Sequence, residues 1–369
     1  MHPLPPAFFI PYVMALFLIG IPTLILEISL GQVYQTGCVG AFGALSPRMR
    51  GIGVASAVCA FFLVTYYAML LAWVTNAFFD SFGGNAPWDQ EGTTGEDAVN
   101  YFFNEIIGMS TVGEDGRPTR VVWANVGYNA LVWFTIWLCL AFGAEWTGRV
   151  AYITMGLPIL FLFLFFFKAI LLEGAGDGIE EYIGKWEMSV LRDQPDVWST
   201  AVSQIFFSIG VTMGVMTAYG SHCPRGEPAT LNSTVISCSN SMFSFIAGFA
   251  VFAAMGHLAH LEGVEVDDIP YGGFSLVFGT WPVVFGTFNG GIHWVRLLFL
   301  NLFLLGIDSG FSILESPVCV FTDWFHSVGI NVKQYVVSGV GSILCFLLGI
   351  VYATDAGLSF LDAVDFVSG

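Results

Sequence analysis

The run LNLFLLGIDSGFSIL places Asp308 far from either end of an apolar stretch. A carboxylate in such a setting is strongly disfavoured unless something neutralises it. A bound hard cation such as sodium would do so, since such ions take oxygen ligands. Leu305, three residues earlier, can offer a carbonyl, and Ser309 a hydroxyl. A proton or an arginine partner would neutralise Asp308 as well. A second constellation consists of neutral donors at i, i+4 spacing, Gln204 with Ser208 and Asn240 with Ser244. That spacing puts each pair on one helix face. Amide and hydroxyl donors can hold an anion, and they serve equally well as hydrogen bonds between helices. Third, the apolar run from Trp198 to Tyr219 carries Ser208-Ile209-Gly210-Val211-Thr212-Met213-Gly214 at its centre. Glycine inside a helix costs about 1 kcal/mol relative to alanine. Freed backbone groups are tolerated at membrane depth only beside protein or a water-filled cavity. The run therefore reads as a helix broken at mid-membrane, its loosened carbonyls and helix ends available to a substrate and ions. Glu27, near the end of another apolar run, needs a polar partner inside the bundle unless it reaches the membrane surface.

The elements that must position these groups are membrane spans. The chain is 56% hydrophobic and 11% charged, a composition outside the soluble range. A span takes roughly 20 apolar residues. Apolar runs cover approximately 8–33, 53–79, 122–143, 150–172, 197–220, 233–259, 289–319 and 334–352, with a partial ninth over 358–369. This predicts one all-α polytopic domain. The net charge of −17 is concentrated in three connections, 81–121, 173–196 and 260–288, which alternation of the spans puts on one side. The opposite connections are short and carry Arg48, Arg50, Arg149, Arg225 and Lys333. Basic short loops mark the cytoplasmic side, so the acidic loops are expected outside. The seven cysteines show no metal-type spacing, and none falls in the long outer loops, so neither a zinc site nor a structural disulfide is expected. The N-terminus lacks the basic start and small-residue cleavage site of a signal peptide. There is no phosphate-binding glycine loop, no nucleophile elbow and no basic stripe for nucleic acid. Nothing supports an enzyme, and nothing indicates an oligomeric state.

Several stretches together resemble the neurotransmitter:sodium symporter family. They are GIPTLILEISLGQ, the loop TGCVGAFGALSPRMRGIG, the run Val64 to Trp73, AVSQIFFSIGVTMGV, SNSMFSFIAGF, LLGIDSGFSILES and FLDAVDFVSG, in the family's order over almost the whole chain. The resemblance implies the inverted five-helix-repeat fold of the bacterial leucine transporter, with the broken 197–220 helix opening the second repeat. It implies that the family's first helix precedes Met1 and that Gly369 lies early in the tenth, so the chain reads as truncated at both ends. The family's animal members typically carry a disulfide in the second outer loop. The corresponding 81–121 segment has no cysteine, and the chain is more similar to divergent eukaryotic members.

The resemblance also implies a site. Leu305, Asp308 and Ser309 match the second sodium site, and Ser208 and Asn240 match the first. Tyr12, Gln204, Ser208, Asn240 and Ser244 match the five chloride-coordinating side chains, with serine at 244 where chloride-independent bacterial members carry glutamate. Leu63, Tyr67, Phe207, Gly210, Met213 and Gly310 match the substrate pocket, with Phe207 as its lid. Without the resemblance these six would read as packing. Asp365 matches an outer-gate carboxylate, and the 260–288 segment matches a helical hairpin that caps the outer vestibule. The function implied is sodium- and chloride-coupled symport of an amino acid or related small amine by a multi-pass protein of the plasma membrane. Two other readings stay open: a transport-dead scaffold or partner protein that starts at Met1, and a proton-coupled transporter of the same fold in which Asp308 carries the proton.

Overall fold

The computed structural model describes residues 6–84, 86–90, 92–113, 116–269 and 272–368. Almost all of it is helix. Among the described residues the strand-like pairing is one isolated antiparallel bridge, Val121 with Thr354. Helix α1 (Pro6–Tyr34) widens into a π-type turn over Leu16–Gly20. That turn directly precedes Pro22, which has no N–H to continue the regular ladder. A short helix, α2 (Cys38–Leu45), leads to α3 (Arg50–Asp80). After the connection over 81–121 come α4 (Trp123–Leu140) and α5 (Ala144–Ala169), and a short helix α6 (Ala175–Ile183) follows. The interrupted crossing consists of α7 (Asp196–Ile209) and α8 (Val215–His222). Then follow α9 (Ala229–Glu262), α10 (Ser275–Gly286), α11 (Gly291–Ser327), α12 (Gln334–Gly349) and α13 (Gly357–Ser368).

Among the described residues six helices are long and apolar enough to cross a membrane: α1, α3 with its leading turn, α5, α9, α11, and α12 with its trailing turn. Several run past the apolar stretches in the sequence. α5 starts at Ala144 rather than near 150, because Glu145 and Arg149 sit in its first two turns. α11 likewise continues to Ser327, beyond 319. A helix satisfies its own backbone, so it can continue out of the hydrocarbon with polar side chains in water. Within 260–288, Val266–Asp268 forms a short 3-10 turn and α10 follows. Residues 270 and 271, between the two arms of the expected hairpin, lie outside the described residues, as does Gly369 at the end of the partial ninth run.

Three contacts set the frame: α3 against α11, α1 against α8, and α9 against α6. The α1/α8 crossing depends on Gly31. A Cβ there would collide with the Thr217 carbonyl and come within 2.8 Å of the Ser221 amide nitrogen. At one end of the bundle an aromatic cluster joins loop to helix. Phe102 stacks on Phe278 of α10 with ring centroids 3.7 Å apart, and Trp73 of α3 meets Phe102 edge-on. Ring pairs of this kind add to the stabilisation from burial alone. A second core lies among α3, α4, α11 and α12, and a third packs Leu16 and Leu24 of α1 against Ile205 and Ile209 of α7.

The start of α4 and the end of α12 are tied by backbone and by one carboxylate. The Val122 amide donates to the Ala353 carbonyl at 2.8 Å. Asp355 is buried and accepts from the Thr119 amide at 3.0 Å, the Thr119 hydroxyl at 2.5 Å and the Thr111 hydroxyl at 3.1 Å. Burial would push this carboxyl up, yet these donors hold it below the ordinary aspartate range.

Candidate ion and substrate site

The site is organised by the gap between α7 and α8. Gly210 closes α7 in the left-handed region at φ 66°, and Gly214 opens α8 at φ 72°. Thr212, between them, also has a positive φ of 75°, an uncommon conformation for a β-branched residue. Two neighbours hold it there. The Thr212 amide donates to Glu27 Oε1 of α1 at 2.6 Å, and Ser316 of α11 donates its hydroxyl to the Met213 carbonyl at 2.8 Å. Glu27 is buried, so its polar partner is the opened backbone itself rather than the membrane surface. Its second oxygen is enclosed without a hydrogen-bond partner among the described residues. Gly214 is confined as well as strained: a Cβ there would lie 2.7 Å from Ser316 Oγ and 2.8 Å from Cys38 Sγ.

On α11 the spacing of Asp308, Ser312, Glu315, Ser316, Cys319 and Asp323 places them along one face, and all six have polar partners. Asp308 Oδ1 accepts from the Thr154 hydroxyl of α5 at 2.6 Å. Tyr219 and Ser312 share a hydrogen bond of 2.8 Å. Glu315 meets His222 Nε2 at 3.1 Å and accepts from Gln334 at 3.3 Å. Cys319 sits 3.8 Å from Ser221 Oγ. Asp323 accepts from the Thr36 hydroxyl at 2.5 Å and the Gly37 amide at 2.7 Å. The polar face thus runs from the Thr154 contact to the loop before α2.

Around Asp308, the Ser309 hydroxyl donates to the Leu305 carbonyl at 3.3 Å, and Tyr67 lies against Ser309. Three predicted groups, Leu305, Asp308 and Ser309, are therefore contiguous with Tyr67. Among the described residues no lysine or arginine pairs with Asp308. These oxygens suit a hard cation by type.

The predicted anion set is only partly assembled. Asn240 donates to Ser208 Oγ at 2.7 Å, which joins α9 to the end of α7. Tyr12 donates to Ser241 Oγ at 3.1 Å, a residue the i, i+4 pattern does not select. Ser244 bonds back to the Asn240 carbonyl at 3.0 Å, and Gln204 is exposed. Of the predicted pocket residues, Met213 and Tyr67 pack on the largest hydrophobic cluster, Leu63 is buried, and Phe207 is 65% exposed. Gly210 forms the break, whereas Gly310 is packed against Ile136. Asp365 accepts from the buried Tyr66 hydroxyl at 2.6 Å. Sequence reasoning passed over Thr154, Ser241 and Tyr66. Only Thr154 left a local signal, a hydroxyl four residues before Pro158 inside an apolar helix.

A bundle of apolar helices with one crossing interrupted at mid-length defines a polytopic membrane protein of the discontinuous-helix transporter fold. The structure of MhsT in complex with L-phenylalanine superposes with a TM-score of 0.80, over 98% of this chain and 78% of that one, at 23% identity. The chain belongs to the sodium:neurotransmitter symporter family, whose profile matches residues 6–369. It is 29% identical over 97% of its length to the human sodium- and chloride-dependent neutral and basic amino acid transporter B(0+), of which it covers 63%. It is also 29% identical to the rat taurine transporter and 30% identical to the bovine GABA transporter 2, both named sodium- and chloride-dependent. The chain covers 62% of the former and 63% of the latter, so it spans somewhat less than two thirds of these relatives.

Proposed function

We propose that the protein of which this chain forms part carries out sodium- and chloride-coupled symport of an amino acid or related small amine across the plasma membrane. The observation that carries the reading is the opened backbone at 210–214, bordered by the Ser208–Asn240 pair, in a chain of this family. Leu305, Asp308 and Ser309 would take one sodium ion, and Ser208 and Asn240 a second. Tyr12, Gln204, Ser208, Asn240 and Ser244 would take chloride. Substrate would lie against Leu63, Tyr67, Phe207, Gly210, Met213 and Gly310, with Phe207 closing over it and Asp365 in the outer gate. The acidic connections would face outward, and Arg48, Arg50, Arg149, Arg225 and Lys333 would face the cytoplasm. Neutral donors can hold chloride because each presents an N–H or O–H.

Each sodium ion entering through about 100 mV releases roughly 2.3 kcal/mol, which drives uphill uptake when binding and alternating access are coupled. Glu27 and Ser316 grip the break from α1 and α11, so movement of the α7/α8 crossing would be felt on both sides of it. The test is substrate-evoked current and radiolabelled uptake by the full-length protein, with sodium replaced by choline and chloride by gluconate. Loss of both signals in either replacement is expected. Uptake that follows a proton gradient and ignores sodium would replace this reading with the proton-coupled one, and no uptake of any amino acid or amine would favour the non-transporting one.

A further inference from the structure

Thr154 lies on α5, which holds none of the cation ligands predicted from the sequence, and its side chain is nevertheless turned onto Asp308. Two acceptors compete for its one hydroxyl proton: Asp308 Oδ1 at 2.6 Å and the Val150 carbonyl, one turn earlier in the same helix, at 3.3 Å. The residue is 5% exposed, so water does not readily take over either role. Its backbone is also unusual. The helical donor to the Thr154 carbonyl would be residue 158, which is proline and has no N–H. Thr154 therefore lacks the helical donor to its carbonyl while its hydroxyl is set against a carboxylate.

We propose that Thr154 is a reciprocating ligand of the Asp308 cation site, an inference that rests on the symport reading. With the site empty, its proton solvates the Asp308 carboxylate. With sodium on that carboxylate, a proton between the two oxygens would oppose the ion. The hydroxyl then rotates its proton to the Val150 carbonyl, and its oxygen lone pairs turn to the ion. Helical threonine makes such back-bonds readily. No covalent bond changes and no proton leaves the residue. The consequence is that α5 responds to occupancy: the Val150 back-bond strengthens as sodium binds, in the turn immediately before the one where Pro158 has removed a backbone bond.

The test uses the purified full-length protein and reads the sodium-dependent rise in melting temperature against choline, alongside the chloride-dependent rise. Thr154→Val keeps the branched shape and removes the hydroxyl. The expected result is an increase of about tenfold in the sodium concentration giving half the rise, the effect of losing one ligand contact. Chloride half-saturation should be unchanged, while the melting temperature in choline should fall, because the empty-site Asp308 carboxylate loses its donor. Thr154→Ser should stay within about twofold of wild type, since it restores the oxygen and its proton. A valine variant with an unshifted sodium midpoint, or one whose sodium and chloride midpoints move together, overturns the proposal, as does a serine variant no better than valine. A wild-type protein that sodium does not stabilise would overturn the symport reading itself, and the proposal with it.

Discussion

Glu27 and Ser244 occupy opposite ends of what a single polar residue does in this bundle. Glu27 is committed: buried, it accepts the Thr212 amide at a point where the backbone has left the helix. Glu27→Ala should destabilise the protein by about 2 kcal/mol, the scale of a hydrogen bond to a charged group. Thermal melting in detergent checks this, and a variant as stable as wild type would show that the break does not need its partner. Ser244 is only lightly engaged, bonded to its own helix. Ser244→Glu would put a fixed negative charge at the proposed anion site. Uptake by that variant should persist in gluconate, and a continued requirement for chloride would count against the site. Glu27 and Asp308 were legible in the sequence because a carboxylate in an apolar run announces a need. Their partners were not, because Thr212 and Thr154 are 185 and 154 residues away and only the fold supplies them.

At the level of elements, the α1/α8 crossing and the Asp355 tie are the contacts most exposed to a single change. Gly31 leaves no room for a side chain beside the Thr217 carbonyl. Gly31→Leu should push the helices apart and cost about 1–3 kcal/mol, the usual range for overpacking, or more since the obstacle is backbone. Reduced yield of folded protein by size-exclusion chromatography would register it. Asp355 gives a pH signature. Its folded carboxyl sits below the ordinary aspartate value near about 3.9. Its stabilising contribution is therefore complete above that value and is lost as pH falls through the folded value. The gap in melting temperature between wild type and Asp355→Ala should be constant from pH 7 down to about 5 and should close in stronger acid. A gap that widens in acid would contradict this assignment. The sequence disclosed the helix break through Gly210 and Gly214, since glycine pairs leave a local mark. It did not disclose the Val121–Thr354 bridge or the Asp355 tie, which join segments far apart in the chain and carry no periodicity.

Across the whole molecule, the polar face of α11 links regions that the sequence presents as separate. Asp308 is held from α5, Ser312 from α8, Glu315 from α8 and α12, and Asp323 from the loop before α2. Composition and apolar run length were enough for the membrane class and for most of the helices, because lipid permits few alternatives to them. The proposed ion sites were legible only through the resemblance: the i, i+4 donors are equally good helix-to-helix bonds, and Tyr12 finds Ser241 rather than a residue of that pattern. Asp308 is the residue proposed to couple sodium to transport. That role is tested most directly by sodium activation of uptake in full-length Asp308→Ala, with cell-surface protein measured in parallel. The expected result is normal surface protein with sodium-dependent uptake abolished, while normal sodium activation of that variant would contradict the account.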